Sequence, residues 1–233
     1  MPSSSGQIPR SSRDATAMKL DAVSIAVMAK APVPGLAKTR LIPALGAEGA
    51  ARLQARLIER TLATACTAGL GPVTVWTTPD ERPFHDFAVK FDVVLARQPE
   101  GDLGQRMHAA VEAASPALVI GTDCPVLEPA HLHEAAARLR DAAEVVVIPA
   151  EDGGYVLIGL RCPRRALFDA MPWGTGSVMP ETRRRTNALG LVLLELATLW
   201  DVDVPMDLAR LQTAGLSDLM APIPRPAAER IRR

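Results

Sequence analysis

The chain has 233 residues, 48% of them hydrophobic and 22% charged, the composition of an ordinary globular domain long enough to bury one sizeable core. Lysine plus arginine equals aspartate plus glutamate at 26 each, so no global field holds it on nucleic acid or an anionic membrane, and 3% aromatics leaves few rings for stacking bases. Cys66, Cys124 and Cys162 are too scattered for a disulfide framework, and no run approaches the roughly 20 apolar residues of a membrane span, so a soluble protein in the reducing cytoplasm is expected.

Residues 1–20 are serine-rich with scattered basic residues and no apolar signal-peptide core, and they read as a disordered tail. Val23 to Ala29 is a short apolar run ended by a Pro/Gly-containing segment, which predicts a buried strand and a loop. Gly46 to Ala68, rich in Ala, Leu, Arg and Glu, predicts a long helix ending near Gly69. Pro72–Thr77 is a second strand, and a weak helix is expected around Glu81–Val89. A strand at Phe91–Leu95, a helix at Leu103–Ala114, a strand at Ala117–Gly121 and a helix at Pro129–Arg140 follow. Glu144–Ile148 and Tyr155–Leu160 are strands joined by the turn residues Asp152-Gly153-Gly154, a departure from strict alternation. Thr175–Leu189 reads as a helix, Leu191–Leu194 as a late strand, Asp201-Val202-Asp203 as a loop, and 216–233 as a basic tail. Alternating helix and strand predicts one α/β domain over 21–215, a mostly parallel twisted sheet with helices on both faces in three layers.

In such sheets ligands sit beyond the carboxyl ends of the strands, which directs attention to the loops there. The first, Lys30 to Arg40, sets three cations and a flexible glycine after a buried strand. Lys30 and Lys38 are point charges, Arg40 is a fork of donors, and Gly35 permits close backbone approach, a combination suited to a polyphosphate. The Walker A spacing is absent, and a solvated basic loop is the plain alternative. At Gly101-Asp102-Leu103-Gly104-Gln105-Arg106, Gly101 and Gly104 admit close backbone approach and Arg106 is within reach of a phosphate. A helix start capped by Asp102 fits the same residues.

Asp123 follows the apolar strand in Ile120-Gly121-Thr122-Asp123-Cys124-Pro125, where a carboxylate faces the crevice and suits Mg²⁺ or Mn²⁺; a turn-forming aspartate is the alternative. A metal needs a second carboxylate, and Asp201 and Asp203 are the candidates. Pro205 suits the first turn of the helix that follows. Glu151 to Tyr155 and Trp173-Gly174-Thr175-Gly176 are candidates for the second substrate. Asp152 is placed to orient hydroxyls or act as a base, Gly153, Gly154, Gly174 and Thr175 to line the site, and Trp173 to pack on a sugar face. A hairpin turn at Asp152 explains those residues equally well. Cys124 has no histidine partner and reads as a packing residue, and the four histidines lack metal spacing.

Taken in order, KAPVPGLAKTRL, GDLGQRM, IGTDCPVL, PAEDGGYVLIGL, WGTGSV and DVDVPMDL resemble the motif set of the bacterial glycosyltransferase-like family DUF2064, from about Val23 to Leu211. That family resembles the GT-A, or nucleotide-diphospho-sugar transferase, fold. Its first and last motifs are similar to those of the guanylyltransferase that makes the cofactor F420 precursor. The resemblance implies that Lys30, Gly35, Lys38 and Arg40 meet the nucleotide and its phosphates, with Asp123 on the metal, Asp203 as second ligand and Asp201 beside it. Two departures stand out. Val204 replaces a small hydroxyl residue, which bears on the helix cap rather than the metal, and Thr122-Asp123-Cys124 keeps one carboxylate of a DxD pair.

The expected function is metal-dependent glycosyl transfer from a nucleotide sugar to a small acceptor. The alternatives are nucleotidyl transfer from an NTP with release of pyrophosphate, and nucleotide binding without turnover.

Overall fold

The computed structural model describes residues 22–78 and 82–221, and the expected tail 1–20 and most of 216–233 lie outside the described residues. Seven strands form one sheet in the order β3-β2-β1-β4-β6-β5-β7: β1 (Ser24–Ala29), β2 (Val73–Thr77), β3 (Val94–Arg97), β4 (Ala117–Ile120), β5 (Val145–Pro149), β6 (Tyr155–Leu160) and β7 (Leu193–Glu195). Every pairing is parallel except those of β6, which runs antiparallel to both β4 and β5. The departure from alternation at Asp152 is therefore a tight return that reverses one strand in the sheet. Its turn is closed by the Ala150 amide on the Gly154 carbonyl at 3.0 Å.

Alternating side chains fill the two faces, as the period of a strand requires. On one face Ile25, Val27 and Ala29 pack with Ile58, Leu62 and Ala65 of helix α1 (Ile42–Ala68) and Leu132, Ala135 and Leu139 of helix α4 (Pro129–Asp141). On the other, Ala26 and Val119 meet Met107 and Val111 of helix α3 (Leu103–Ala113) and Met179 of helix α5 (Val178–Ala188). These are the three layers expected. A third cluster joins Leu53 and Leu57 of α1 to Trp200, Val202 and Leu211, the last on helix α6 (Pro205–Thr213).

Several boundaries differ from expectation for local reasons. Helix α1 begins at Ile42, ahead of Gly46, whose φ of 69° and ψ of 165° break the spiral between a short first segment and the long one. Phe91 ends helix α2 (His85–Phe91), and Asp92 turns left-handed at φ 51°, so β3 starts at Val94 rather than at Phe91. Helix α5 starts at Val178 because Thr175 is held in a turn: its hydroxyl donates to the Pro172 carbonyl at 2.7 Å and accepts from the Ser177 amide at 3.3 Å. Packing also continues past 215. Ser217–Met220 is a 3₁₀ turn whose Leu219 is buried in the third cluster. Among the described residues no helix is long and apolar enough to cross a membrane.

Candidate functional site

The strand ends gather the chemistry. Beyond β5 the chain at Leu199 runs alongside Pro149 and Glu151, with amide-to-carbonyl bonds of 3.0 and 3.1 Å, and the Val202 amide then donates to the Asp123 carbonyl at 2.9 Å. This lays Asp201 and Asp203 beside the loop that leaves β4. Lys38 enters from the opposite side. Its backbone is left-handed (φ 44°, ψ 47°), and Ala37 and Leu41 around it are fully buried. Its ammonium donates to the Val202 carbonyl at 2.6 Å and lies 2.7 Å from Asp123 Oδ1 and 3.1 Å from Asp203 Oδ1. The Lys38 side chain is 5% exposed, whereas those of Asp123 and Asp203 are 44% and 47% exposed, so the carboxylates keep a face toward solvent. Arg40 stands outside this knot, 3.6 Å from Asp203 Oδ2.

Burial works against the charge on Lys38, but the carboxylates of Asp123 and then Asp203 outweigh it and hold its pKa above the ordinary lysine value. The opposite holds at Asp201. Burial first, then the charges of Asp123 and Asp152, push its carboxyl up to about 7. Cys124 behind it is pushed up to about 12, chiefly by burial, which suits its reading as a packing residue.

The cleft has two lobes. The first, about 390 Å³, is lined by Lys30, Lys38, Arg40 and Thr122. The second, about 240 Å³, is lined by Asp152, Gly154, Trp173, Gly174 and Thr175. Asp123, Asp201, Asp203, Tyr155 and Leu103 belong to both. A basic lobe and a second lobe carrying a carboxylate and an indole thus share one acidic wall.

Other expected residues have different placements. Arg106 lines a separate cavity with Arg97, Gln98 and Glu100, away from Lys38. Gly104 is needed for packing, since a Cβ there would overlap the Phe168 carbonyl and meet the Trp173 ring at 3.0 Å. Asp102 closes a capping box with Gln105, both bonds at 2.9 Å, so the capping reading of that motif describes its geometry and Gly101 (φ 118°) leads into the cap. Gly35 has φ 80° with nothing near the position of a Cβ. Gly153 packs backbone to backbone, its missing Cβ 2.6 Å from Gly176 Cα. Asp152 also serves its turn, accepting from the Gly154 amide at 2.9 Å.

Three residues escaped the sequence reading. Gln54 is buried and joins the Thr122 hydroxyl (3.1 Å) to the Lys30 carbonyl (3.4 Å), tying two site loops together. Its signal was present: a glutamine between Ala50 and Ile58 on the apolar stripe of a helix. Asp207 takes over the cap left open by Val204, its carboxylate accepting from the amides of Asp203 (2.7 Å) and Val204 (2.8 Å). Arg210 grips Glu151 with two bonds of 2.5 and 2.6 Å and lies over the Trp200 ring at 4.4 Å, fastening the Asp152 turn to α6.

A divalent ion fits the donor set. Among the described residues no group of three or more His, Cys, Asp or Glu forms a ready cage, but two carboxylate oxygens and a carbonyl oxygen converge on one cation, the Lys38 ammonium. All are hard oxygen donors of the kind Mg²⁺ and Mn²⁺ accept from one or two carboxylates together with substrate phosphates.

Residues 61–175 match the model of DUF2064, a family described as an uncharacterized protein conserved in bacteria. That stretch contains Asp123, Asp152 and Trp173. No curated protein matches the chain. Among solved structures, a Desulfovibrio desulfuricans protein described as a nucleotide-diphospho-sugar transferase is 28% identical, with 78% of this chain and 82% of that one covered and a TM-score of 0.72. A nucleotidyl transferase from Methanothermobacter is 19% identical over 85% of this chain and 99% of that one, with a TM-score of 0.57. Glucosyl-3-phosphoglycerate synthase from Mycobacterium tuberculosis, solved with Mn²⁺, UDP and glucosyl-3-phosphoglycerate, is 11% identical over 93% of this chain and 85% of that one, with a TM-score of 0.52. The last two share the fold alone. The architecture is that of nucleotidyl and nucleotide-sugar transferases, in keeping with the expected GT-A-like fold.

Proposed function

We propose that this chain is a cytoplasmic transferase that moves a glycosyl group from a nucleotide sugar to a small acceptor, with Mg²⁺ or Mn²⁺ at Asp123 and Asp203. The observation that carries the reading is the acidic wall shared by two lobes, one basic and one bearing Asp152 and Trp173. A donor diphosphate in the first lobe and an acceptor in the second would bring their reacting atoms together at that wall.

Lys38 and Arg40 bind the diphosphate and meet the charge that grows on it as the glycosidic bond breaks. Lys30 extends the basic lining of the same lobe, and Gly35 gives the loop between it and Lys38 a left-handed turn at φ 80°. An acceptor hydroxyl oxygen bonds to the anomeric carbon, the bonding electrons leave with the nucleoside diphosphate, and Asp152 takes the hydroxyl proton. Trp173 offers the second lobe an apolar wall suited to a sugar face. When bound, the metal neutralises charge on the departing diphosphate. Asp201 stands beside the two ligands, its carboxyl pushed up to about 7, first by burial.

The test is a thermal-shift screen of UDP-, GDP-, ADP- and dTDP-sugars and of free NTPs, each with and without Mn²⁺. Metal-dependent stabilisation by one nucleotide sugar, and release of its nucleoside diphosphate on adding acceptors, is expected. Stabilisation by NTPs alone, with pyrophosphate released, would replace glycosyl with nucleotidyl transfer. No shift with any of them would leave a protein without this activity.

A further inference from the structure

The Lys38 ammonium occupies the point between the facing oxygens of Asp123 and Asp203. A cation held by Oδ1 of Asp123 and Oδ1 of Asp203 together would lie between them, and Nζ already lies there at 2.7 and 3.1 Å. The Val202 carbonyl at 2.6 Å gives the third ammonium hydrogen its acceptor. Mg²⁺ needs oxygen ligands at about 2.0–2.1 Å, so it and the ammonium cannot share that point.

Resting on the reading of Asp123 and Asp203 as metal ligands, we propose that Lys38 is an internal competitor of the divalent ion. Metal entry requires its ammonium to swing out, and the incoming polyphosphate supplies the new anionic partner. The backbone can stay in place during this exchange, because Ala37 and Leu41 are fully buried and anchor the left-handed turn between them. Only side-chain torsions change. Lysine suits the task as a compact point charge on a flexible four-carbon stem, where the planar fork of arginine would need its paired geometry rebuilt. The chain otherwise relies on arginine: of its 26 basic residues only Lys19, Lys30, Lys38 and Lys90 are lysines. The exchange makes metal and nucleotide binding cooperative, since each removes an obstacle to the other.

Mn²⁺ titration followed by the loss of the free-ion electron paramagnetic resonance signal tests this directly. In the absence of nucleotide, Lys38→Met is expected to bind Mn²⁺ roughly tenfold more tightly than the native chain, an effect the size of other changes around metal ligands. Adding Asp123→Asn to that variant should abolish the gain. Equal or weaker binding by Lys38→Met overturns the competition while leaving the metal-assisted reading standing. If neither protein binds Mn²⁺ at millimolar concentration, with or without UDP or GDP, both proposals fall.

The native chain gives an independent measurement should the variant not fold. With ¹⁵N-lysine labelling, four side-chain amines are labelled, and among the described residues the buried ammonium of Lys38 is the one held by three oxygen acceptors. Saturating Mg²⁺ in the presence of UDP or GDP should move or remove that resonance. An unchanged Lys38 resonance under saturation overturns the exchange.

Discussion

The Val202 amide donates to the Asp123 carbonyl at 2.9 Å, and this backbone bond brings together the two carboxylates on either side of Lys38. The contact lies in the main chain, so either carboxylate can be changed without dismantling the path that aligns them.

Asp123→Asn and Asp203→Asn should each fold and each lower transfer activity by roughly 10²-fold or more, the scale of losing one preorganised charge-stabilising group. Stability should fall by about 1–2 kcal/mol, because Lys38 keeps one carboxylate and the Val202 carbonyl and the carboxylates are partly solvated. Steady-state kinetics and urea titration measure the two effects. Full activity in either variant would remove that carboxylate from the reaction.

Stability of the metal-free protein should decline as pH rises from about 4 to 7. The Asp201 carboxyl is pushed up to about 7 in the folded chain against an ordinary aspartate value of 3.8, so across that window the folded state holds a proton that the unfolded chain has released. Asp201→Asn should flatten the slope and gain stability at pH 8, with a ceiling of about 4 kcal/mol at 1.36 kcal/mol per pKa unit. Urea midpoints in chelator at several pH values decide it, and a native slope identical to that of the variant would refute the assignment.

Alkylation should separate the cysteines. Cys124 is buried with its thiol pushed up to about 12, while Cys162 is exposed. Iodoacetamide at pH 7.5 should label Cys162 in minutes and Cys124 only after denaturation, as peptide mass analysis would record. Rapid native labelling of Cys124 would mean that the wall of the cleft opens.

Gly104→Ala should cost about 1–3 kcal/mol, because its Cβ would drive into the Phe168 main chain. Gly35→Ala meets nothing, and its cost of about 1 kcal/mol comes only from a left-handed backbone at φ 80°. Thermal denaturation of the pair checks the order; a larger loss at Gly35 would mean that its loop is packed more closely than the geometry here describes.

Most of the sheet was legible in the sequence because its signals are local. Val145–Ile148 and Ala117–Ile120 are apolar runs with turn residues at their ends. Asp92 escaped, since a left-handed aspartate ending a short helix looks in sequence like any polar residue before a strand. At the site, residue types near strand ends were legible, but partners were not. That Lys38 would turn inward between Asp123 and Asp203, and that Arg106 would line another cavity, depends on which side of a loop each residue faces, and spacing does not encode it. Gln54 was hidden for the same reason: its partners Thr122 and Lys30 come from two other segments.

The reversal of β6 divides labour along the rim of the sheet. Tyr155 and Val156, the beginning of that strand, lie beside the ends of its antiparallel neighbours β4 and β5 and line both lobes, whereas Asp152 and Gly154 of the return line only the second. Insertions or substitutions in that return, or in the Trp173 turn packed against it through Gly153 and Gly176, can reshape one compartment while the Lys38 compartment keeps its geometry. The two lobes can therefore be altered separately: residues that line one of them alone can change while Lys38, Arg40 and Thr122 stay as they are.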